Sequence, residues 1–129
     1  MTIAFSTTLR TARAQAIITA AGANAKIKFY DGTRPASGAG IGGSTLLATL
    51  IAGATLGSAA SGVLDFDEAS FTQTAASHVS GTPTWVRITT SADVFVADLS
   101  IPGDLTFSGT ISTGVNVTLN ASTITEGNA

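Results

Sequence analysis

Residues 84–99 read TWVRITTSADVFVADL. In the first half, Val86 and Ile88 fall on one side of an extended chain, and Trp85, Arg87 and Thr89 on the other. That two-residue period is the signature of a half-buried β-strand. The second half, DVFVADL, is apolar on both sides, as a strand with neighbours on either side would be. Ser91 and Ala92 separate the two runs. This stretch predicts two short strands, over 84–90 and 93–99.

The same pattern extends in both directions. Upstream, AKIKFY at 25–30 places Ile27 and Phe29 on one face and Lys26, Lys28 and Tyr30 on the other. Asp31-Gly32 opens a turn, Pro35 ends any pairing, and ASGAGIGGS at 36–44 reads as a flexible loop or linker. Further short strands are predicted over 45–51, 63–67, 104–108, 115–119 and 122–126. Leu105/Phe107 alternate with Thr106/Ser108, and Val115/Val117/Leu119 with Asn116/Thr118. About eight short strands broken by turn residues predict a mostly β chain, a β-sandwich or jelly roll. The length of 129 residues fits one domain, 1–129.

One helix is expected, over residues 6–21 (STTLRTARAQAIITAA), after an N-terminal arm at 1–5 and before the β-sandwich at 25–129. Ser6 or Thr7 can cap it, and Gly22 stands where a C′ glycine belongs. Leu9, Ala16 and Ala20 share one side with Arg13; Ala14, Ile17, Ile18 and Ala21 share another with Arg10. A helix apolar on two sides fits between two surfaces, its own sheet and a neighbour.

Charged residues make up only 11% of the chain, against about 25% in ordinary soluble domains. Mean hydropathy is +0.40. A surface this poor in charge predicts coverage by copies of the chain or by a partner. Residues 1–34 hold Arg10, Arg13, Lys26, Lys28 and Arg34 against Asp31; residues 35–129 hold Arg87 against Asp65, Asp67, Glu68, Asp93, Asp98, Asp104 and Glu126. The net charges of +4 and −6 suggest head-to-tail packing or an acidic partner. No basic run has the density that nucleic acid requires.

The chain has no cysteine, which excludes a disulfide framework and Cys-based zinc. In MTIAFSTTLRTAR the charges follow the apolar residues, the wrong order for a signal peptide. The uncharged stretch at 45–64 is long enough to span a bilayer, but its Thr, Gly and Ser content and lack of flanking cations favour strands.

Candidate chemical groups are sparse. Gly38-Ala-Gly40-Ile-Gly42-Gly43 matches G-x-G-x-x-G but lacks the adjoining strand and helix that aim amides at phosphate. Asp65, Asp67 and Glu68 form a small acidic group, short of the six to eight oxygens calcium takes. Asn116-Val-Thr118 and Asn120-Ala-Ser122 fit the glycosylation pattern without a secretory context. His78, the single histidine, reads as a surface residue with no nucleophile elbow nearby. No catalytic residue, cofactor or metal is expected. Trp85 and Arg87 are residue types that dominate interface hot spots. Two readings stand open for Trp85, a partner contact or packing under the helix or a loop of its own chain.

Three segments carry a resemblance: STTLRTARAQAIITAAGANAKIKFYDGTRP at 6–35, GTPTWVRITTS at 81–91, and STITEGN at 122–128. Together they resemble a family of small tailed-bacteriophage virion proteins. The resemblance implies a structural role, best matched by head decoration, or cement. Such a protein binds outside the phage head and clamps major capsid proteins together. It further implies a virion location on the head surface, synthesis in the bacterial host cytoplasm, a homo-oligomer (dimer or trimer), and no nucleic-acid or membrane partner. A tail or fibre module recognising a host receptor or glycan is the alternative. The expected contact residues are Met1, Ile3 and Phe5 of the arm, Arg10 and Arg13 of the helix, and Trp85 with Arg87.

Overall fold

A computed structural model describes residues 4–36, 38–107, 109–119 and 122–125. The chain is mostly β, with two antiparallel sheets and one N-terminal helix. Of the two layouts expected from sequence, the sandwich describes it.

Helix α1 spans Thr7–Ala21. The Ser6 hydroxyl accepts from the Leu9 amide at 3.1 Å, and Gly22, at φ +71, donates to the Ile18 carbonyl at 3.1 Å. Both ends are thus satisfied as the sequence foretells. Ala14, Ile18 and Ala21 are buried, whereas Leu9, Ala12, Ala16 and Ala20 face outward.

The larger sheet runs β5-β2-β1-β6-β7, with β1 Lys26–Tyr30, β2 Leu46–Ile51, β5 Thr72–Gln73, β6 Trp85–Thr89 and β7 Phe95–Ser100. Ile27, Leu50 and Ile88 stand side by side on its inner face, and Phe29, Ala48 and Val86 form the next row. The smaller sheet runs β3-β4-β8, with β3 Gly57–Ala60, β4 Val63–Phe66 and β8 Thr123–Thr125. It contributes Leu64, Phe66 and Ile124 to the same core. Ser61 and Gly62, at φ +52 and +77, join β3 to β4, the pair of positive φ values that a tight hairpin turn needs. Helix α1 docks on this turn: the Gly62 amide donates to Thr11 Oγ1 at 2.8 Å. The Arg10 side chain lies so close to Gly62 that a Cβ there would meet it at 3.0 Å.

Three expectations need correcting. Strand β7 is an edge strand, not a central one. Its outward apolar residues are covered in part by a loop, as the ring of Phe95 against Gly38 shows. Of the expected strands at 104–108 and 115–119, residues 104–107 and 115–119 form none, and Ser108 lies outside the described residues. Leu105, Ile111, Val117 and Leu119 are buried, and this stretch is held by an isolated bridge between Ile111 and Gly81, by the Gly114 amide on the Ala75 carbonyl and by side chains rather than by a continuous ladder. The carboxamide of Gln73 donates to the Val117 carbonyl at 2.9 Å and accepts from the Val117 amide at 2.7 Å. Finally, β3 was not foreseen, because Gly-Ser-Ala-Ala has none of the branched or aromatic residues that mark strands.

Among the described residues, no helix is long and apolar enough to cross a membrane. The uncharged stretch at 45–64 forms β2, β3 and the beginning of β4.

Candidate interaction surface

The outer face of the five-stranded sheet carries the polar half of each alternation. Lys28 pairs in register with Thr49 and Arg87, and Arg87 in turn with Asp98. One step along, Tyr30 adjoins Leu46 and Trp85, and Trp85 adjoins Ser100.

Of the two readings open for Trp85, packing within its own chain describes the structure: the side chain is completely buried, which corrects its place among the expected contact residues. Its ring stacks on Tyr30 with centroids 4.4 Å apart and planes 12° from parallel. The indole N–H donates to the Asp31 carbonyl at 2.9 Å and to Ser44 Oγ at 3.2 Å. Thus Trp85 and Tyr30 are buried apart from the sandwich core, on the opposite side of the sheet. Segment 38–45 runs beside them, with Ser44 on the indole edge.

That segment, read from sequence as flexible, is held by specific bonds. Arg87 and Asp98 form a two-pronged ion pair, Nε to Oδ1 at 2.7 Å and Nη2 to Oδ2 at 2.8 Å. The Asp98 side chain is only 1% exposed. Arg87 Nη2 also donates to the Ala39 carbonyl at 2.7 Å, and Asp98 Oδ2 accepts from the Gly38 amide at 3.3 Å. Asp31 Oδ1 accepts from the Thr45 amide at 2.6 Å. The Arg87 guanidinium lies 5.4 Å from the Trp85 ring centroid and 5.3 Å from that of Phe95. Its hydrogen bond to Asp98 raises the Arg87 pKa above the usual value, and burial raises that of the Tyr30 phenol.

The charge asymmetry of the sequence is partly spent within the chain. Lys26 and Lys28 both donate to Asp93, at 2.9 and 2.7 Å. Hydrogen bonds from Lys28 and then Lys26 lower the Asp93 pKa to about 2.

The other expected contact residues divide. Phe5 sits half-buried with the Arg13 guanidinium 4.9 Å from its ring centroid. Arg10 is half-buried on Gly62 and donates to Thr7 Oγ1 at 3.2 Å. Met1 and Ile3 lie outside the described residues. The structure therefore joins Phe5 to Arg13 and Trp85 to Arg87.

Exposed apolar side chains were missed by sequence reasoning. Val94 is 61% exposed, Val115 59%, Val79 45%, Leu9 45% and Leu46 40%. Two of them lie on hydrogen-bonded neighbouring segments: the Val79 amide donates to the Leu47 carbonyl, and the adjacent His78 ring bonds the Val115 carbonyl at 3.0 Å. Period-two alternation predicts Val115 on the inside with Val117; its exposure follows from the loss of strand geometry there.

His78 is buried rather than on the surface. Its Nδ1 faces the Val115 carbonyl, so that nitrogen carries the proton. Asp65 and Asp67 are exposed along a cleft of about 280 Å³ shared with Thr55 and Ser58, while Glu68 turns away to accept from the Ser122 amide at 2.6 Å. Among the described residues, no three acidic or histidine side chains gather to hold a metal.

No protein-family model matches the sequence, and neither the curated proteins nor the solved structures give a match.

Proposed function

We propose that this chain is a structural virion protein, a capsid decoration or cement protein. It binds the outside of a phage head in many copies and stabilises contacts between major capsid proteins. The observation that carries this reading is the surface. Large apolar side chains stand in solvent on a chain whose charged content is 11%, and Lys26, Lys28 and Arg87 are already paired within the chain. Isolated exposed apolar residues are ordinary. Several of them on a charge-poor surface suit a protein that is covered when it works. Contacts that are weak singly gain strength when repeated over a lattice. The resemblance of residues 6–35, 81–91 and 122–128 to small phage virion proteins supports the same reading.

The outward side of α1, with Leu9, Ala12, Ala16 and Ala20, is the flat half of the helix that the sandwich leaves uncovered. The arm before it and Arg13 beside it complete the proposed contact. Titrating the protein onto purified heads that lack it tests the proposal, with head melting as readout. Saturable binding in hundreds of copies and a raised melting temperature are expected. Deleting residues 1–5 should weaken binding more than it lowers the protein's own melting temperature; equal losses would remove the arm from the contact.

A second reading, a tail or fibre module for a host receptor or glycan, draws on the open polar cleft of Asp65, Asp67, Thr55 and Ser58. It predicts a dozen copies or fewer per particle and loss of host adsorption in Asp65→Ala/Asp67→Ala.

A further inference from the structure

We infer that residues 38–45 form a latch over a concealed aromatic surface, opening without the sandwich, and that the Arg87–Asp98 pair sets how tightly it is held.

Four observations lead there. First, the segment adds no residue to the hydrophobic core. Its largest side chain, Ile41, is 37% exposed, and a Cβ placed on Gly40, Gly42 or Gly43 would touch nothing within 4 Å. Little apolar burial resists its release. Secondly, its attachments are few and polar. Among the described residues they are Ala39 to Arg87, Gly38 to Asp98, Ser44 to Trp85 and to the Thr33 carbonyl, and Thr45 to Asp31 through both its amide and its carbonyl. The two at the start of the segment end on one ion pair. Thirdly, what lies below is separate from the sandwich core: Trp85 and Tyr30 are buried outside the cluster between the sheets, and the indole edge is closed by Ser44 of the segment together with the Asp31 carbonyl. Fourthly, the residues an open latch would present are Trp85, Tyr30, Arg87 and Phe95, already gathered by stacking and cation–π contacts. Trp, Tyr and Arg are the types that carry most binding energy at protein interfaces. The free protein thus keeps Trp85 and Tyr30 covered, with Phe95 partly exposed at their margin. The inference goes beyond the decoration role and stands without it.

Exchange of the Trp85 indole N–H with solvent deuterium, followed by NMR, reports opening directly. That proton is bonded only to Asp31 and to the latch residue Ser44. In the wild-type chain it should exchange at least tenfold faster than the Ile27 and Ile88 amides of the central strands. Asp98→Asn should accelerate it a further tenfold or more, and by a larger factor than it accelerates those two amides. The Gly40→Ala/Gly43→Ala pair acts in the opposite direction. Neither glycine needs a positive φ, so each alanine restricts the open segment and should slow indole exchange about two- to fivefold. Indole exchange that matches the core amides in the wild type would overturn the latch, as would a glycine-pair variant with an unchanged indole rate. Should Asp98→Asn fail to fold, the wild-type and glycine-pair measurements still decide.

Discussion

Arg87 meets Asp98 across β6 and β7 with two parallel hydrogen bonds, and both residues reach past the sheet to the backbone of Gly38 and Ala39. One ion pair therefore joins two strands and a loop. An arginine–carboxylate fork is directional and holds geometry better than a point charge can. Arg87→Lys keeps the charge but loses the fork. It should lower stability by about 1–3 kcal/mol, measured by urea unfolding. Asp98→Ala, which strands a largely buried cation, should cost about 3–5 kcal/mol.

Trp85→Phe separates ring packing from hydrogen bonding. Stacking on Tyr30 is retained, while the Asp31 carbonyl and Ser44 hydroxyl lose their donor. A loss of about 1–3 kcal/mol is expected, against about 3–5 for Trp85→Ala. An unchanged stability in Trp85→Phe would show that the hydrogen bonds contribute nothing, and equal losses in the two variants would show that the retained ring packing does not.

Asp93 gives the protein an acid-sensitive element. Its folded pKa of about 2 lies below the unfolded 3.8, so its pairing with Lys28 and Lys26 stabilises the fold above the unfolded value. That contribution is lost as pH falls from about 5 toward 2. Asp93 adopts φ +66, which asparagine tolerates, so Asp93→Asn isolates the charge. The variant should lose less stability than wild type between pH 5 and pH 2. Its difference from wild type at neutral pH should shrink at high salt. Parallel pH profiles of wild type and variant would exclude the role.

Gln73 substitutes for a strand by offering its carboxamide to both backbone groups of Val117. Gln73→Ala should destabilise by about 1–3 kcal/mol, because two backbone groups lose their partners. Hydrogen exchange should report the loss first over 111–119. Gln73→Glu keeps the acceptor but not the donor and should fall between.

The fold was legible where side-chain period and backbone period coincide. Ile27/Phe29, Val86/Ile88 and the capped Ser6–Gly22 helix are of this kind. Legibility failed where burial comes from somewhere other than the sheet partner. Trp85 and Tyr30 sit on the face that alternation assigns to solvent, and they are buried there by stacking on each other and by backbone and loop groups such as the Asp31 carbonyl and Ser44. The loop at 38–45 rests on Arg87 and Asp98, eleven residues apart and indistinguishable by type from surface charges. Val117 and Leu119 alternate like strand residues, yet their edge meets a glutamine side chain. Of the expected contact surface, Arg13 stays on the uncovered side of α1 with Phe5 near its guanidinium, whereas Arg10 packs on Gly62 and Trp85 and Arg87 turn inward.

The copy number of the chain in purified particles tests the central proposal most directly, by quantitative gel scaled to the major capsid protein. Decoration of the head predicts hundreds of copies per particle. A dozen or fewer would place the chain at the tail, neck or a vertex and contradict the proposal.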